Sequence, residues 1–526
     1  WKSAPYLLNF MDGYQLVRRL SGHRPDDTLA ELLADLGDTI DWADVAMYGA
    51  IDPGNAKLRA LLDDVMGNDM WRWLWIPPAL PYYSPAPPFD IESARHASKR
   101  LVFSSWTVVP KMIAALVSYD AERRMVSSGS KAPPPNTPEA RRRVGQLLRF
   151  TRSKGRLTGM KVLALLYPSS ALAAIGDPVR HASAGEITDR EQLLAAVRAE
   201  VDSALAPWID QAPTTGSEDE DWYWLAPLLA DLSNASSIDP IELFDDHLWA
   251  DEWTGGTADE ETERTDEAKS TFEDHLTEAY ERLEAIKNGE ATLGRVPADL
   301  AEVTALLAVG GPGACSLRAL SRTRGQHAMN EPATIGAAAR SAWAFRSLFN
   351  LPEVSALVRG GHPDDAYWRA VLDYTVAGNL QAVLDEYVHV LPDRLGLLDP
   401  TTEEAIEQIA DAIRDVLTVR TVSYSCHDIV DDGSGTRFQQ GRHRMRGRFA
   451  LRFGQDRVEE TGDTTRTTQV RDAFNSPFWP FVLATTSVGQ EGLDFHSYCH
   501  TCVHWNLPAN PVDLEQREGR VHRYKG

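Results

Sequence analysis

Cysteine is scarce: four in 526 residues, too few for a disulfide framework. A reducing compartment is the default, and the expected location is the cytoplasm. No run of eighteen apolar residues occurs, so no membrane-spanning helix and no membrane partner are expected. No secretory leader is seen either: Trp1 and Lys2 open directly into SAPYLLNF, which reads as a piece of a longer protein. A phosphate-cradling loop, Gly-x-x-x-x-Gly-Lys-Ser/Thr, is missing; GGPGACS (310–316) has the glycines without the lysine. No strand ends in Asp-Glu-x-His, since LDEYVH (384–389) adds a residue and sits in a helical context. A self-contained nucleotide hydrolase is therefore excluded.

Positive charge is also short, with 53 Lys and Arg against 76 Asp and Glu, a net charge of −23. Taken alone, that sum argues against a surface that binds nucleic acid. The distribution is uneven, however. Arg95 to Lys161 holds 15 basic and 3 acidic residues, whereas Glu218 to Arg282 holds 21 acidic and 3 basic. The acidic tract reads as a solvated face and an acidic loop; the sharper alternative is a lid over the basic region.

What is present is ordinary globular material, 43% hydrophobic and 25% charged. The length suggests about three or four core-forming units. Residues 1–94 read as a helical and linker segment, with helices over 28–38 and 56–66, then a short strand and a Pro-rich connector over 71–89. Residues 95–125 read as strand, polar turn and helix: Leu101-Val102-Phe103, Ser104-Ser105, then Val108 to Arg124. Residues 126–420 begin in a flexible linker and continue as a mainly helical insertion. Residues 421–526 return to alternation, with strands over 444–454, 480–487 and 499–508, a helix over 467–475 and another starting at 511. The expected fold is an α/β lobe, a parallel sheet with flanking helices, split by a large helical insertion.

The chemistry concentrates in 482–526. Ser487-Val488-Gly489-Gln490-Glu491-Gly492-Leu493-Asp494 follows a buried strand, and its glycines let backbone approach a ligand. Such turns lie at the carboxyl edge of the sheet, where open α/β folds bind ligands. In Gln516-Arg517-Glu518-Gly519-Arg520-Val521-His522-Arg523, Arg520 and Arg523 are three apart and would share a helix face. Two guanidiniums on one face suit a polyphosphate.

VLATTSVGQEGLDF resembles motif V of the superfamily 2 helicases, and QREGRVHR resembles motif VI. HWNLPANPVDLEQREGRVHR is similar to the SWI/SNF and RapA-like branch, and LVFSSW (101–106) resembles motif IV. The resemblance implies the second RecA-like lobe of an ATP-dependent helicase or translocase acting on nucleic acid, with duplex DNA the expected substrate. It implies arginine fingers at Arg520 and Arg523, and Gln516 positioning the phosphate or the attacking water. Gly489, Glu491, Gly492 and Asp494 would lie near the nucleotide. Ser104, Ser105 and Ser487 would touch the nucleic-acid backbone. ATP and Mg²⁺ would be held mainly by a first lobe outside this chain. PYLLNFM (5–11), YWRAVLDYTVAGNLQAVLDEYVH (367–389) and FNSPFWPF (474–481) look like bacterial helicases of phage-defence islands, of the DISARM kind, which implies defence-system protein partners.

Rival readings attach to several features. Cys499-x-x-Cys502 with His496, His500 and His504 invites zinc, but a strand splits these residues between two faces, and no metal site is expected. The strip with Arg444, Arg446 and Arg448 is either a phosphate contact or a solvated edge strand, and both readings stand. Arg141 to Arg156 either bind duplex backbone or pair with the acidic tract. Trp222, Tyr223 and Trp224 read as core. The alternative for the whole chain is an interaction or scaffold module acting through the helical insertion.

Overall fold

The computed structural model describes residues 4–12, 15–21, 27–35, 39–129, 133–144, 146–182, 189–246, 250–254, 266–361, 365–431, 436–454, 467–486 and 494–522. The chain forms two compact units. One comprises Trp1–Ile76, His96–Arg142 and Val419–Gly526; the other comprises Pro77–Arg95 and Arg143–Thr418. Eight strands occur among the described residues: β1 Arg100–Phe103, β2 Thr151–Ser153, β3 Arg156–Thr158, β4 Val422–Asp431, β5 Thr436–Gly447, β6 Ala450–Phe453, β7 Val482–Thr485 and β8 Thr501–His504.

The first unit is built on a parallel sheet of order β6-β7-β1-β8. β1 and β7 are buried at every residue, as strands covered on both faces must be. The helix Val108–Ser127 is buried along most of its length. Its Ser118 hydroxyl donates to the Ala450 carbonyl and accepts from the Ala450 amide, both at 2.9 Å, which locks it to β6. The helix Ala56–Met66 occupies the span its periodicity predicts, capped by Asn55 accepting from Leu58 N–H at 2.8 Å. The stretch before Ile76 makes an isolated bridge from Trp75 to Phe478 instead of the expected short strand. Trp73 and Trp75 are fully buried there.

The expected strand over 444–454 is two strands in two sheets. β5 pairs antiparallel with β4 in a long ribbon, and β6 enters the parallel sheet. The break falls after Gly447, which lies against the Tyr424 ring: a Cβ there would sit 2.3 Å from Cε2. Phe449 then turns its carbonyl to Phe481 N–H at 2.8 Å, aligning β6 with β7.

Among the described residues, the regular elements of the second unit are helices apart from the β2–β3 hairpin. Its helix Pro332–Phe349 packs against Pro312–Arg324 and Glu403–Leu417. Trp222, Tyr223 and Trp224 open the helix Trp222–Ser233 and are buried. The stretch Leu300–Arg324 is apolar enough to cross a membrane by length and composition, but 83% of its most apolar window is buried inside the protein, as in a core helix.

Candidate functional site

Parallel register brings four strand ends to one line: Phe453, Thr485, Phe103 and His504 are neighbours across the sheet. Beyond them lies the carboxyl edge. Ser104 N–H donates to Thr485 O at 3.0 Å and Trp505 N–H to Phe103 O at 2.9 Å, so the ladder continues past the strands.

Asn506 organises the loops on this edge. Its Oδ1 accepts from Ser105 N–H at 2.9 Å and from the Ser104 hydroxyl at 3.2 Å, and its Nδ2 donates to the Ser105 hydroxyl at 2.8 Å. Ser104 is buried, whereas Ser105 and Trp106 are exposed. From beneath, Arg517 donates to the Asn506 carbonyl at 3.0 Å, with its guanidinium 5.6 Å from the centre of the Phe103 ring. Desolvation lowers the Arg517 pKa, so its charge is held against a burial cost. On the amino side, Lys57 donates to the Trp505 carbonyl at 2.6 Å.

The helix Pro511–Glu518 starts where the sequence demands. Asn510 caps it by accepting from Val512 N–H at 3.1 Å, and Pro511 needs no partner at the first position. It ends at Glu518, so Arg520 lies in the turn beyond it and not on its face. The expected shared helix face of Arg520 and Arg523 is therefore not formed by this helix. Gln516 is exposed on the helix and Arg517 next to it is buried. Arg520 is 8% exposed, and its carbonyl accepts from Phe495 N–H at 3.1 Å. Phe495 packs edge-on against Phe453 and Phe474. Asn475 donates to the Asp494 carbonyl at 2.8 Å, which fixes the segment from the other side.

Ser104, Ser105, Asp494, Gln516 and Arg520 thus belong to elements joined at or below this edge. Ser487, Gly489, Glu491, Gly492 and Arg523 lie outside the described residues. Arg444, Arg446 and Arg448 are not brought to it. They precede β6 and belong to the opposite, amino end of the sheet. Arg444 is exposed on the ribbon, Arg446 pairs with Glu122 at 3.2 Å, and Arg448 N–H donates to the Ser118 hydroxyl at 3.3 Å. Sequence reasoning missed Asn506, Arg517 and Lys57. A polar residue just past the last strand was the available signal for Asn506.

The cysteines of β8 and its approach serve the fold. Cys499 is buried and contacts the Lys99 carbonyl at 3.2 Å, and Cys502 lies 3.7 Å from His504 Nε2. Burial pushes the two thiols up to about 11 and about 12. His504 in turn faces Glu518 at 3.4 Å.

Residues 451–525 match the family described as the helicase conserved C-terminal domain. The match supports a C-terminal lobe of the superfamily 1 and 2 helicases. No curated protein and no solved structure matches the chain. The parallel sheet with flanking helices fits the RecA-like form of that lobe, beside a large helical region. The matched segment supplies β6, β7 and β8, but β1 lies between β7 and β8 and comes from residue 100. The sheet to which the matched segment contributes is therefore built from residues discontinuous in sequence. A helicase- or translocase-type function follows in general terms, with ATP and Mg²⁺ the family's usual reactants and nucleic acid its usual partner.

Proposed function

We propose that this chain supplies the second motor lobe of an ATP-dependent duplex-DNA translocase or helicase of the SWI/SNF–RapA-like branch, working in phage defence in the bacterial cytoplasm. The observation that carries the reading is the shared edge. The serines after β1 are tied through Asn506 to Arg517, and Arg520, three residues on, is tied to the end of the segment resembling motif V. Ser104, Ser105 and Arg520 thus lie on elements joined at one end of the sheet, which supports the reading.

The residues present fit a nucleotide shared with another lobe. A guanidinium after the last helix offers planar, charge-assisted donors to a polyphosphate. With no phosphate loop in the sequence, the phosphate cradle and Mg²⁺ belong to a first lobe. ATP, when bound, supplies the free energy of phosphoanhydride cleavage. Arg520 and Arg523 stabilise charge on the transferred phosphoryl group, and Gln516 orients the attacking water. Gly489, Glu491, Gly492 and Asp494 link the nucleotide side to the strand held by Ser104, Ser105 and Ser487. Arg444, Arg446 and Arg448 add backbone contacts at the far end of the sheet, and the helical unit docks defence partners.

The test is ATPase activity of the full-length protein with duplex DNA, single strands or RNA, beside Arg520→Ala and Arg523→Ala. Stimulation by duplex DNA, reduced by a factor of about 10³–10⁵ in the variants, is expected. No stimulation by any nucleic acid would sink the reading.

A further inference from the structure

The helical unit carries a basic surface that the sheet edge does not explain. β2 and β3 form a short antiparallel hairpin, pairing Arg152 with Leu157 and Ser153 with Arg156. Lys154 and Gly155 make its two-residue turn at φ 49° and 77°, the left-handed pair that fits strand twist. The open end is closed by a 2.7 Å bond between the Thr151 and Thr158 hydroxyls. Next comes Gly159 at φ 118°, where a Cβ would lie 2.2 Å from the Arg149 carbonyl. The hairpin base is therefore packed against backbone at the start of the helix Met160–Leu166.

Arg149, Arg152, Lys154 and Arg156 are all exposed on and beside this hairpin. Arg152 pairs with Asp274 at 2.9 Å. Arg149, Lys154, Arg156 and the nearby Arg143 have no carboxylate partner among the described residues. A cavity of about 700 Å³ adjoins the hairpin, lined by Arg143, Arg149, Lys161, Thr158, Trp224 and Trp368 among others. Of the acids on its wall, Glu220 is paired with Lys161 at 2.5 Å, and Asp221 accepts from the neutral Trp224 indole at 3.0 Å and keeps its charge. With Lys161 and Glu220 paired, Arg143, Arg149, Lys154 and Arg156 outweigh Asp221, so the balance in and beside the cavity is positive, in a protein of net charge −23.

Solvated cations that merely guard an edge strand would sit on that strand alone. Here they converge from the hairpin, from the segment before it and from Arg143. Exposed guanidiniums grouped in this way match phosphate geometry better than they match a single carboxylate. Among the described residues, the acidic tract reaches this surface at its flank, through Asp274 on Arg152 and Glu220 on Lys161.

We propose that the β2–β3 hairpin and the adjoining cavity bind the phosphodiester backbone of a nucleic acid, as a contact additional to those of the sheet edge. The proposal rests on the nucleic-acid reading above for the class of polyanion. The hairpin is the grip of the helical unit on the same substrate.

The test is fluorescence anisotropy of a labelled DNA duplex with the full-length protein, without nucleotide, across a salt series. Each phosphate contact contributes about 0.9 to the slope of log affinity against log salt. The triple variant Arg149→Ala, Lys154→Ala, Arg156→Ala should lower the slope by about 2–3 and weaken binding at least tenfold at low salt, with an unchanged thermal midpoint. Asp274→Asn frees Arg152 and should steepen the slope by up to about 0.9, an effect no structural role predicts. Unchanged slopes in both variants, beside a duplex-stimulated ATPase, would overturn the hairpin contact and leave the motor standing. Slopes that change as expected without any stimulated ATPase would support the contact and remove the motor. Phosphatidylserine vesicles bound through the same three cations, with duplex ignored, would overturn the nucleic-acid assignment.

Discussion

In the helical unit, the deepest charge is saturated. Arg318 has no exposure and uses every nitrogen: Nε donates to Gln381 at 2.6 Å, Nη1 to Ala308 O at 2.6 Å and Ala173 O at 3.1 Å, and Nη2 to Val309 O at 2.9 Å. Ala308 and Val309 lie in the last turn of the helix Leu300–Gly310, and Ala173 lies near the end of Ser170–Ile175. The guanidinium thus caps two helix ends, where carbonyls lack partners and the dipole favours a cation. In the sheet unit, Arg517 donates to the carbonyl of Asn506, in the loop that follows β8 at the sheet edge. Burial alone does not distinguish an architectural arginine from a functional one. Its partners do: helix-end carbonyls indicate architecture, and a place beyond a strand or helix end indicates a ligand.

The largest effect should come from breaking the architectural case. Arg318→Met keeps the volume but leaves the Ala308 and Ala173 carbonyls and the Gln381 side-chain oxygen without this donor in the core, and Val309 O with only the Cys315 thiol. The expected loss is about 3 kcal/mol or more, because each buried unpaired group costs about 1–3 kcal/mol. Urea unfolding of wild type and variant measures it. A loss near zero would mean that water or a shifted side chain replaces Arg318, and the contrast between the units would fail.

The same contrast decides what the sequence revealed. Continuous apolar runs located β1 and β7, and helical spacing located Ala56–Met66 and Val108–Ser127, because burial follows side-chain periodicity there. The hairpin β2–β3 was hidden inside a basic run: TRSKGRLT has almost no apolar alternation, and only its Lys-Gly turn betrays it. The ribbon strand β4, VSYSCHDIVD, was too polar to stand out. At the site, the chemical identity of Ser104, Ser105 and Arg520 was readable because their residue types carry it. The functions of Asn506 and Arg517 depend on partners more than 400 and eleven positions away, respectively, which no local pattern encodes.

A smaller effect should follow at the edge itself. Asn506→Ala removes three contacts of the serine turn, the acceptor of Ser105 N–H among them. Stability should fall by about 1–2 kcal/mol, since the edge is partly wet and water can substitute. Nucleic-acid affinity should fall several-fold more than this stability loss explains, because Ser105 is no longer held. Anisotropy and urea melts on the same variant separate the two. Affinity unchanged at full occupancy of the folded state would show that the serine turn carries no ligand.

A last effect, which depends on pH, concerns a buried carboxyl of the helical unit. Asp231 accepts from Ala171 N–H at 2.7 Å, the Tyr167 hydroxyl at 2.9 Å and the Ser169 hydroxyl at 3.0 Å. Burial outweighs these donors and raises its pKa to about 6 from 3.8. A carboxyl raised on folding binds its proton more tightly in the folded state. Its contribution is therefore fully present below the unfolded value and fades as pH rises through about 6. Between pH 4 and 6, Asp231 should lower stability by up to about 1.4 kcal/mol per pH unit. Asp231→Asn removes that slope and retains an acceptor for the Ala171 amide. The check is the difference between wild-type and variant unfolding free energies at several pH values, because other groups cancel in it. A difference that grows toward pH 7 and then levels agrees with a proton-dependent buried carboxyl. A flat difference would mean that the hydroxyls keep Asp231 ionised throughout, and the helical unit would then tolerate buried charge as readily as the edge tolerates exposed charge.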